Sequence, residues 1–343
     1  MHRLTRRLLG ATILAAALGL GGSFGAAAGD LTFTSWGGTT QDAQKAAWAD
    51  KFEAQYGVKV LQDGPTDYGK LKAMIDANAV TWDVVDVEPD FAFQAAKQGL
   101  LEPLDFSVID KKDIDPRFVF DHGVGSFYFS FVLGYNPDAL GGKAPASWAD
   151  LFDTAKFPGK RTFYKWASPG VLEVALLADG VAPDKLYPLD LDRAFKKLDS
   201  IKKDILWWGS GAESQQQLAS GEAPLGMFWN GRIYALQKDG AKVDVVWNQN
   251  LATADFLVVP KGSKNKAEAM KFIAIAAGAQ GQADLATATG YAPINVKSAA
   301  MLGKEMAAML PSQHAKGQIT LDLDYWAAHR DEIGKRWYAW QAK

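Results

Sequence analysis

Two charged residues of opposite sign stand where a binding chemistry would need them. Arg232 follows Trp229-Asn-Gly, where a strand pattern ends and a helix pattern begins. Ligands of open α/β sheets sit off the carboxyl ends of strands, so this loop is placed to meet one. Asp255 stands at the start of a strand-like run over residues 256–260. A guanidinium takes a carboxylate through two parallel hydrogen bonds, and a carboxylate suits an ammonium. Buried charges are costly unless paired, so one Arg and one Asp call for a ligand with one charge of each sign, a zwitterion rather than a dication. Two plainer arrangements use the same residues: Arg232 paired with Asp255, or Arg232 in solvent.

Aromatic residues supply the walls such a ligand needs. Trp36, Trp166, Trp207, Trp208 and Trp229 fall at strand ends. Their faces attract an ammonium and shield methylenes, although core packing explains most aromatic side chains in any protein. Trp36 and Trp229 are the first candidates for the site, followed by Phe127, Tyr128 and Trp207; Trp48, Trp148, Trp326, Trp337 and Trp340 read as structural. Asp83, Asp86 and Glu88 cluster after a third strand and could offer a second acid, but acids there more often cap the next helix or face water.

Catalytic chemistry finds little support. The chain has no cysteine, which removes thiol catalysis and thiolate metal sites. It has neither a phosphate-binding G-x-x-x-x-G-K-[ST] loop nor an H-E-x-x-H metal motif. His2, His122, His314 and His329 are scattered, so no metal site is expected, nor any cofactor. Gly21-Gly-Ser-Phe-Gly25 matches the nucleophile pattern G-x-S-x-G but lies inside an export signal. An exported hydrolase is the weaker reading, and the chain is read as a non-enzyme.

That signal occupies residues 1–28. Arg3, Arg6 and Arg7 precede an apolar run over residues 8–20 and a small-residue end, Ala26-Ala-Ala-Gly29. The run is short and rich in Gly and Ala for a membrane span. Thr5-Arg-Arg-Leu-Leu9 also weakly permits a twin-arginine route. Removing those three arginines takes the formal net charge from -2 to -5. The mature chain therefore reads as a periplasmic, mildly acidic monomer with no basic excess for nucleic acid or membrane.

The elements that must position these residues alternate. Strand patterns at residues 31–36, 58–61 and 82–87 are separated by helix patterns at 39–56, 68–78 and 89–98. Thr39-x-x-Asp42 resembles a capping box, and Trp48, Phe52 and Tyr56 recur at i+4 until Gly57. A second block has strands at 126–134, 161–166, 225–229 and 243–247, helices at 169–178, 191–202, 212–219 and 232–238, and a last strand at 256–260. The rest is helical: 264–277, 279–289 and 324–343. The alternation predicts an α/β fold of parallel βαβ units. At 343 residues the chain exceeds what one core usually supports, so two lobes are expected.

The chain resembles bacterial extracellular solute-binding proteins of the polyamine (spermidine/putrescine) type that feed ATP-binding-cassette importers. The matching stretches are Thr34-Ser-Trp-Gly-Gly38, Trp82-Asp-Val-Val-Asp86, Ser147-Trp-Ala-Asp-Leu-Phe152, Lys156-Phe-Pro-Gly-Lys160, Phe228-Trp-Asn-Gly231, Phe256-Leu-Val-Val-Pro260, Gly290-Tyr-Ala-Pro-Ile-Asn295 and Tyr325-Trp-Ala-Ala-His-Arg330. The resemblance implies a two-lobed, type II-like periplasmic binding protein fold hinged on paired crossover strands. Lobe 1 would comprise residues 29–133 plus 260–323, lobe 2 residues 134–259, and a C-terminal helix, 324–343, would pack on both. It also implies a membrane permease as partner. Two departures stand out. Where the family carries Trp-x-Asp, this chain has Thr253-Ala-Asp255, and a basic Arg232 follows Trp229-Asn-Gly. With Arg232 and Asp255 as the charge pair, a short ω-amino acid such as γ-aminobutyrate fits best; an α-amino acid or a betaine-like compound also satisfies the pair, and a polyamine is the alternative.

Overall fold

The computed structural model describes residues 29–343; the export-signal segment, residues 1–28, lies outside the described residues. Ten strands form one mixed sheet: β1 (Leu31–Thr34), β2 (Val60–Asp63), β3 (Val84–Val87), β4 (Val119–Phe120), β5 (Gly123–Tyr135), β6 (Arg161–Tyr164), β7 (Ile205–Trp208), β8 (Leu225–Trp229), β9 (Asp244–Val258) and β10 (Ile319–Thr320). Their order is β2-β1-β3-β9-β5-β8-β6-β7, with β10 beside β9 and β4 beside β5. Parallel ladders join β1 to β2 and β3 on one side and β6 to β7 and β8 on the other. Between them run the long antiparallel strands β5 and β9. β3 is buried at every residue, as expected of a strand covered on both faces.

The shared strands carry the one large difference from the sequence reading. Residues 243–247 and 256–260 read as separate strands, yet residues 244–258 form a single 15-residue strand. It is bent rather than broken. The register passes from Phe131↔Leu251 to Leu133↔Val246, and Gln249 takes a φ of 54°. This bulge is held from several sides: Trp148 Nε1 donates to the Gln249 carbonyl at 2.9 Å, and Asn250 Oδ1 accepts from Ser130 Oγ at 2.7 Å and Gln318 Nε2 at 2.8 Å. Bulges bend and twist a strand locally. Beyond it, β9 pairs with β3 at Phe256–Val258.

Helices cover both faces. In the first part of the chain these are α1 (Gly38–Gln44), α2 (Asp50–Tyr56), α3 (Tyr68–Asp76) and α4 (Pro89–Lys97). The next are α5 (Trp148–Phe152), α6 (Val171–Ala178), α7 (Leu191–Asp199), α8 (Gly211–Ala219) and α9 (Asn230–Lys238). After β9 come α10 (Lys266–Ala277), α11 (Ala279–Thr289), α12 (Lys304–Ala308) and α13 (Leu323–Gln341). Helix α7 shows the amphipathic logic: Leu191, Ala194, Phe195 and Leu198 form its buried stripe, and the Asp190 carboxylate caps it by accepting from Arg193 N at 3.0 Å. The expected capping box at Thr39 is absent. That helix starts at Gly38 behind Gly37, and a π-helical turn over Lys45–Ala49 joins α1 to α2. Trp48 and Phe52 are buried as the spacing predicts, whereas Tyr56 is 40% exposed. Gly57 ends the helix in the left-handed conformation.

Helix α13 ties the two parts together. Trp326 Nε1 donates to Glu173 of α6 at 2.6 Å, and Trp337 Nε1 donates to the Lys165 carbonyl at 2.8 Å. On its other side Arg330 bonds Asp90 of α4 at 2.6 Å. The tryptophans read as structural are buried here. Among the described residues, no helix is long and apolar enough to cross a membrane, and no His, Cys, Asp or Glu cluster has metal-binding geometry.

Candidate functional site

A tight cavity of about 10 Å³, the space of one water, lies where the long strands meet the ends of β1 and β8. Anything larger enters only if the walls part. Each wall has a local cause. Asp255 faces Phe127 across the β5–β9 ladder. Phe127 and Phe129 are two residues apart, so they share one face of β5. Trp229 ends β8, and Arg232 sits in the first turn of α9. Asn230 fixes that corner: its Oδ1 accepts from Ser130 N at 3.0 Å, and its Nδ2 donates to the Gly290 carbonyl at 2.8 Å. A Cβ at Gly231 would fall 2.4 Å from the Tyr291 ring, so only glycine lets α9 approach. Trp36 comes from the loop after β1; its neighbour Ser35 donates to Gln44 Oε1 at 2.6 Å and to Asp86 Oδ2 at 3.2 Å.

The electrostatics of the cavity are incomplete. Arg232 is buried and donates to Thr39 Oγ1 at 3.2 Å through one terminal nitrogen, but its Nε has no partner. The comparison with Arg161, also buried, is direct. Arg161 donates to the carbonyls of Leu151 (2.9 Å), Gly159 (2.5 Å), Asp153 (3.1 Å) and Phe157. Arg161 is satisfied by the fold, and Arg232 is not. Asp255 accepts from Trp36 Nε1 at 2.8 Å through Oδ2, while its Oδ1 is orphaned. Burial pushes the Asp255 carboxyl well above the usual range, and the charges of Asp86 and Glu88 act in the same direction. Trp229 Nε1 is a third orphan. Buried polar groups are nearly always bonded, and each one left unmade costs about 1–3 kcal/mol. Two donors and one acceptor in one cavity therefore define what is missing: a carboxylate for Arg232 and Trp229, and an ammonium for Asp255.

Of the expected site residues, the structure brings together Arg232, Asp255, Trp229, Trp36 and Phe127. It separates two. Tyr128 points to the other face of β5, where its hydroxyl bonds Gln318 and its ring lies 5.5 Å from Phe118. Adjacent strand residues cannot share a face, so Phe127 excludes it. Trp207 packs edge-on against Trp337 at 5.6 Å, under α13. The residues not anticipated are Thr40, Phe129 and Tyr291. Tyr291 stacks on Phe127 with centroids 4.5 Å apart. The cap-or-solvent reading of the acid cluster fails, since all three are buried. Asp83 accepts from Thr32 N, Ser263 Oγ and Asn265 Nδ2 at 2.7–3.0 Å. Asp86 lies in a network with Ser35, Gln44 and Ser126, and burial raises its carboxyl to about 7. Glu88 accepts from Ser168 Oγ at 2.9 Å, and burial followed by the charge of Asp90 raises it to about 7.

Comparisons with known proteins identify the relatives of this chain. The family model for bacterial extracellular solute-binding proteins matches residues 47–311. The gamma-aminobutyric acid-binding protein of Pseudomonas aeruginosa is 38% identical over 322 residues, 91% of each chain. The spermidine/putrescine-binding periplasmic protein of Escherichia coli K12 is 26% identical over 323 residues, covering 90% of this chain and 89% of that one. The solved structure of the Atu4243–GABA receptor is 68% identical with a TM-score of 0.85, covering 92% of this chain and 98% of the other.

Proposed function

This chain belongs to the bacterial extracellular solute-binding proteins, and we propose that its ligand is γ-aminobutyrate or a closely related ω-amino acid. The observation that carries the reading is the unmatched set in one cavity: Arg232 Nε and Trp229 Nε1 without acceptors, and Asp255 Oδ1 without a donor. The ligand carboxylate would take the two donors, its ammonium would take Asp255, and its methylenes would lie against Phe127, Phe129 and Tyr291. Similarity to a gamma-aminobutyric acid-binding protein supports the same ligand. A polyamine would put a second ammonium beside Arg232, which lines the cavity rather than turning away.

The wider role follows from the family. The protein acts in the periplasm, carries its ligand to the permease of an ATP-binding-cassette importer and performs no chemistry on it. We propose two lobes, starting from the division into residues 29–133 plus 260–323 and residues 134–259, with the helix from 324 resting on both. Because β9 already pairs with β3 at Phe256, we put the second changeover inside β9, near its bulge, rather than at its end. Ligand would hold the lobes closed by binding the closed form more tightly than the open one.

Isothermal titration of the ligand-stripped protein with γ-aminobutyrate, putrescine and spermidine tests the reading. Saturable one-to-one binding of the amino acid, with neither polyamine competing, is expected. Tight polyamine binding with no response to the amino acid would overturn it.

A further inference from the structure

A second, larger cavity of about 280 Å³ lies beside the first, and Trp36 lines both. The outer cavity is bounded by Tyr68, Glu88, Tyr164, Trp166 and Arg330. Glu88 is its buried acid, held by Ser168 Oγ at 2.9 Å and Tyr68 at 3.3 Å. The indole of Trp36 is fixed from both sides: its Nε1 donates to Asp255 in the inner cavity at 2.8 Å, and its ring meets Tyr68 of the outer one edge-on, centroids 6.3 Å apart. A side chain bonded to the inner acid and packed on the outer wall is a partition. It also separates two carboxylates, Asp255 and Glu88, either of which could receive an ammonium.

We propose that Trp36 sets the length of ligand this protein accepts, by closing the Arg232–Asp255 cavity off from an outer compartment whose Glu88 would otherwise receive the amine of a longer ω-amino acid. The proposal rests on the reading of the inner cavity as an ω-amino-acid site. With Trp36 present, a chain anchored by its carboxylate on Arg232 must place its ammonium at Asp255, and added methylenes have no room. With the indole removed, the same anchor serves a longer chain whose ammonium passes the gap to Glu88.

The test is a length series, 4-aminobutyrate, 6-aminohexanoate and 8-aminooctanoate, titrated into the wild-type protein, Trp36→Ala and Trp36→Ala/Glu88→Gln. Wild type should lose about tenfold or more in affinity from the first ligand to the second. Trp36→Ala should bind 8-aminooctanoate about tenfold or more better than wild type does, and Glu88→Gln in that background should remove the gain. Wild type that fails to bind 4-aminobutyrate would sink the functional reading itself. Wild type that binds all three equally would sink the partition and leave that reading standing, and this arm decides even if Trp36→Ala does not fold. A folded Trp36→Ala with no gain for the longest ligand, or a gain indifferent to Glu88, would also overturn the proposal.

Discussion

Arg232 and Asp255 line one buried cavity, and neither Arg232 Nε nor Asp255 Oδ1 has a hydrogen-bond partner. Proteins seldom bury a guanidinium and a carboxylate without joining them, because each unpaired charge is expensive to desolvate. Here no salt bridge joins the two, and the proposed zwitterion would meet both demands.

Arg232→Met separates that demand from packing. The thioether keeps most of the length and removes every donor. The ligand-free thermal midpoint should hold or rise, since replacing poorly compensated buried charge with apolar volume is neutral to stabilising by about 1–4 kcal/mol. Affinity for γ-aminobutyrate should fall by about 2–5 kcal/mol. Scanning calorimetry and titration on one preparation read both, and a large loss of ligand-free stability would make Arg232 a packing residue.

Asp255→Asn addresses the other end. The amide keeps the acceptor for Trp36 Nε1 and removes the charge. Because burial and the neighbouring acids favour the protonated Asp255, an ammonium must displace a proton as pH falls, and wild-type affinity should drop toward acid pH. The variant should bind about 2–5 kcal/mol more weakly at neutral pH, and its remaining affinity should be nearly flat with pH. A pH slope surviving in Asp255→Asn would assign the titration elsewhere.

Stability of the ligand-free protein should run against the usual trend. Asp86 and Glu88 are held neutral by burial up to about 7, against ordinary values of 3.8 and 4.5. Around Glu88 lie Asp90 and Arg330, with Tyr68 and Tyr164. Between those ordinary values and about pH 7 the folded chain holds more protons than the unfolded one, so stability is full below them and is lost as pH rises through about 7. The thermal midpoint should be several degrees higher near pH 5 than near pH 8, on the order of 2–4 °C per kcal/mol. Glu88→Gln should flatten part of that slope. A midpoint that rises with pH over this range would contradict the assignment.

Gly211→Ala tests the position of the Arg232 guanidinium. A Cβ there would fall 2.1 Å from Arg232 Nε, so the guanidinium must shift. Displacement by about an ångström costs up to about a hundredfold where geometry is demanding. The expected loss in γ-aminobutyrate affinity is about tenfold or more, with a near-native far-ultraviolet spectrum. Unchanged affinity would show that the guanidinium position is not critical.

The sequence disclosed the charges of this site better than its walls. Arg232 and Asp255 were legible because a lone basic and a lone acidic residue at strand ends have few structural uses. Phe129 and Tyr291 were not, because an aromatic residue that lines a cavity has the same type and spacing as one that fills a core. Tyr128 could have been rejected without coordinates, since it alternates with Phe127 along one strand. Strand β8 reads to the residue because Gly221 and the α9 start bracket it. The single strand β9 was hidden by Asn248-Gln-Asn250, whose polar run ends the apolar alternation while the chain bulges and continues.

Because β5 and β9 run through both parts of the sheet, the proposed ligand site is not carried by any exchangeable module. Phe127, Phe129 and Asp255 ride on the two shared strands, while Trp36 and the Trp229–Arg232 corner come from opposite flanks. A chimaera that grafted one flank from a relative would cut both shared strands and inherit half of a recognition set. Drift toward a new nutrient must instead proceed one side chain at a time, on a scaffold that stays whole.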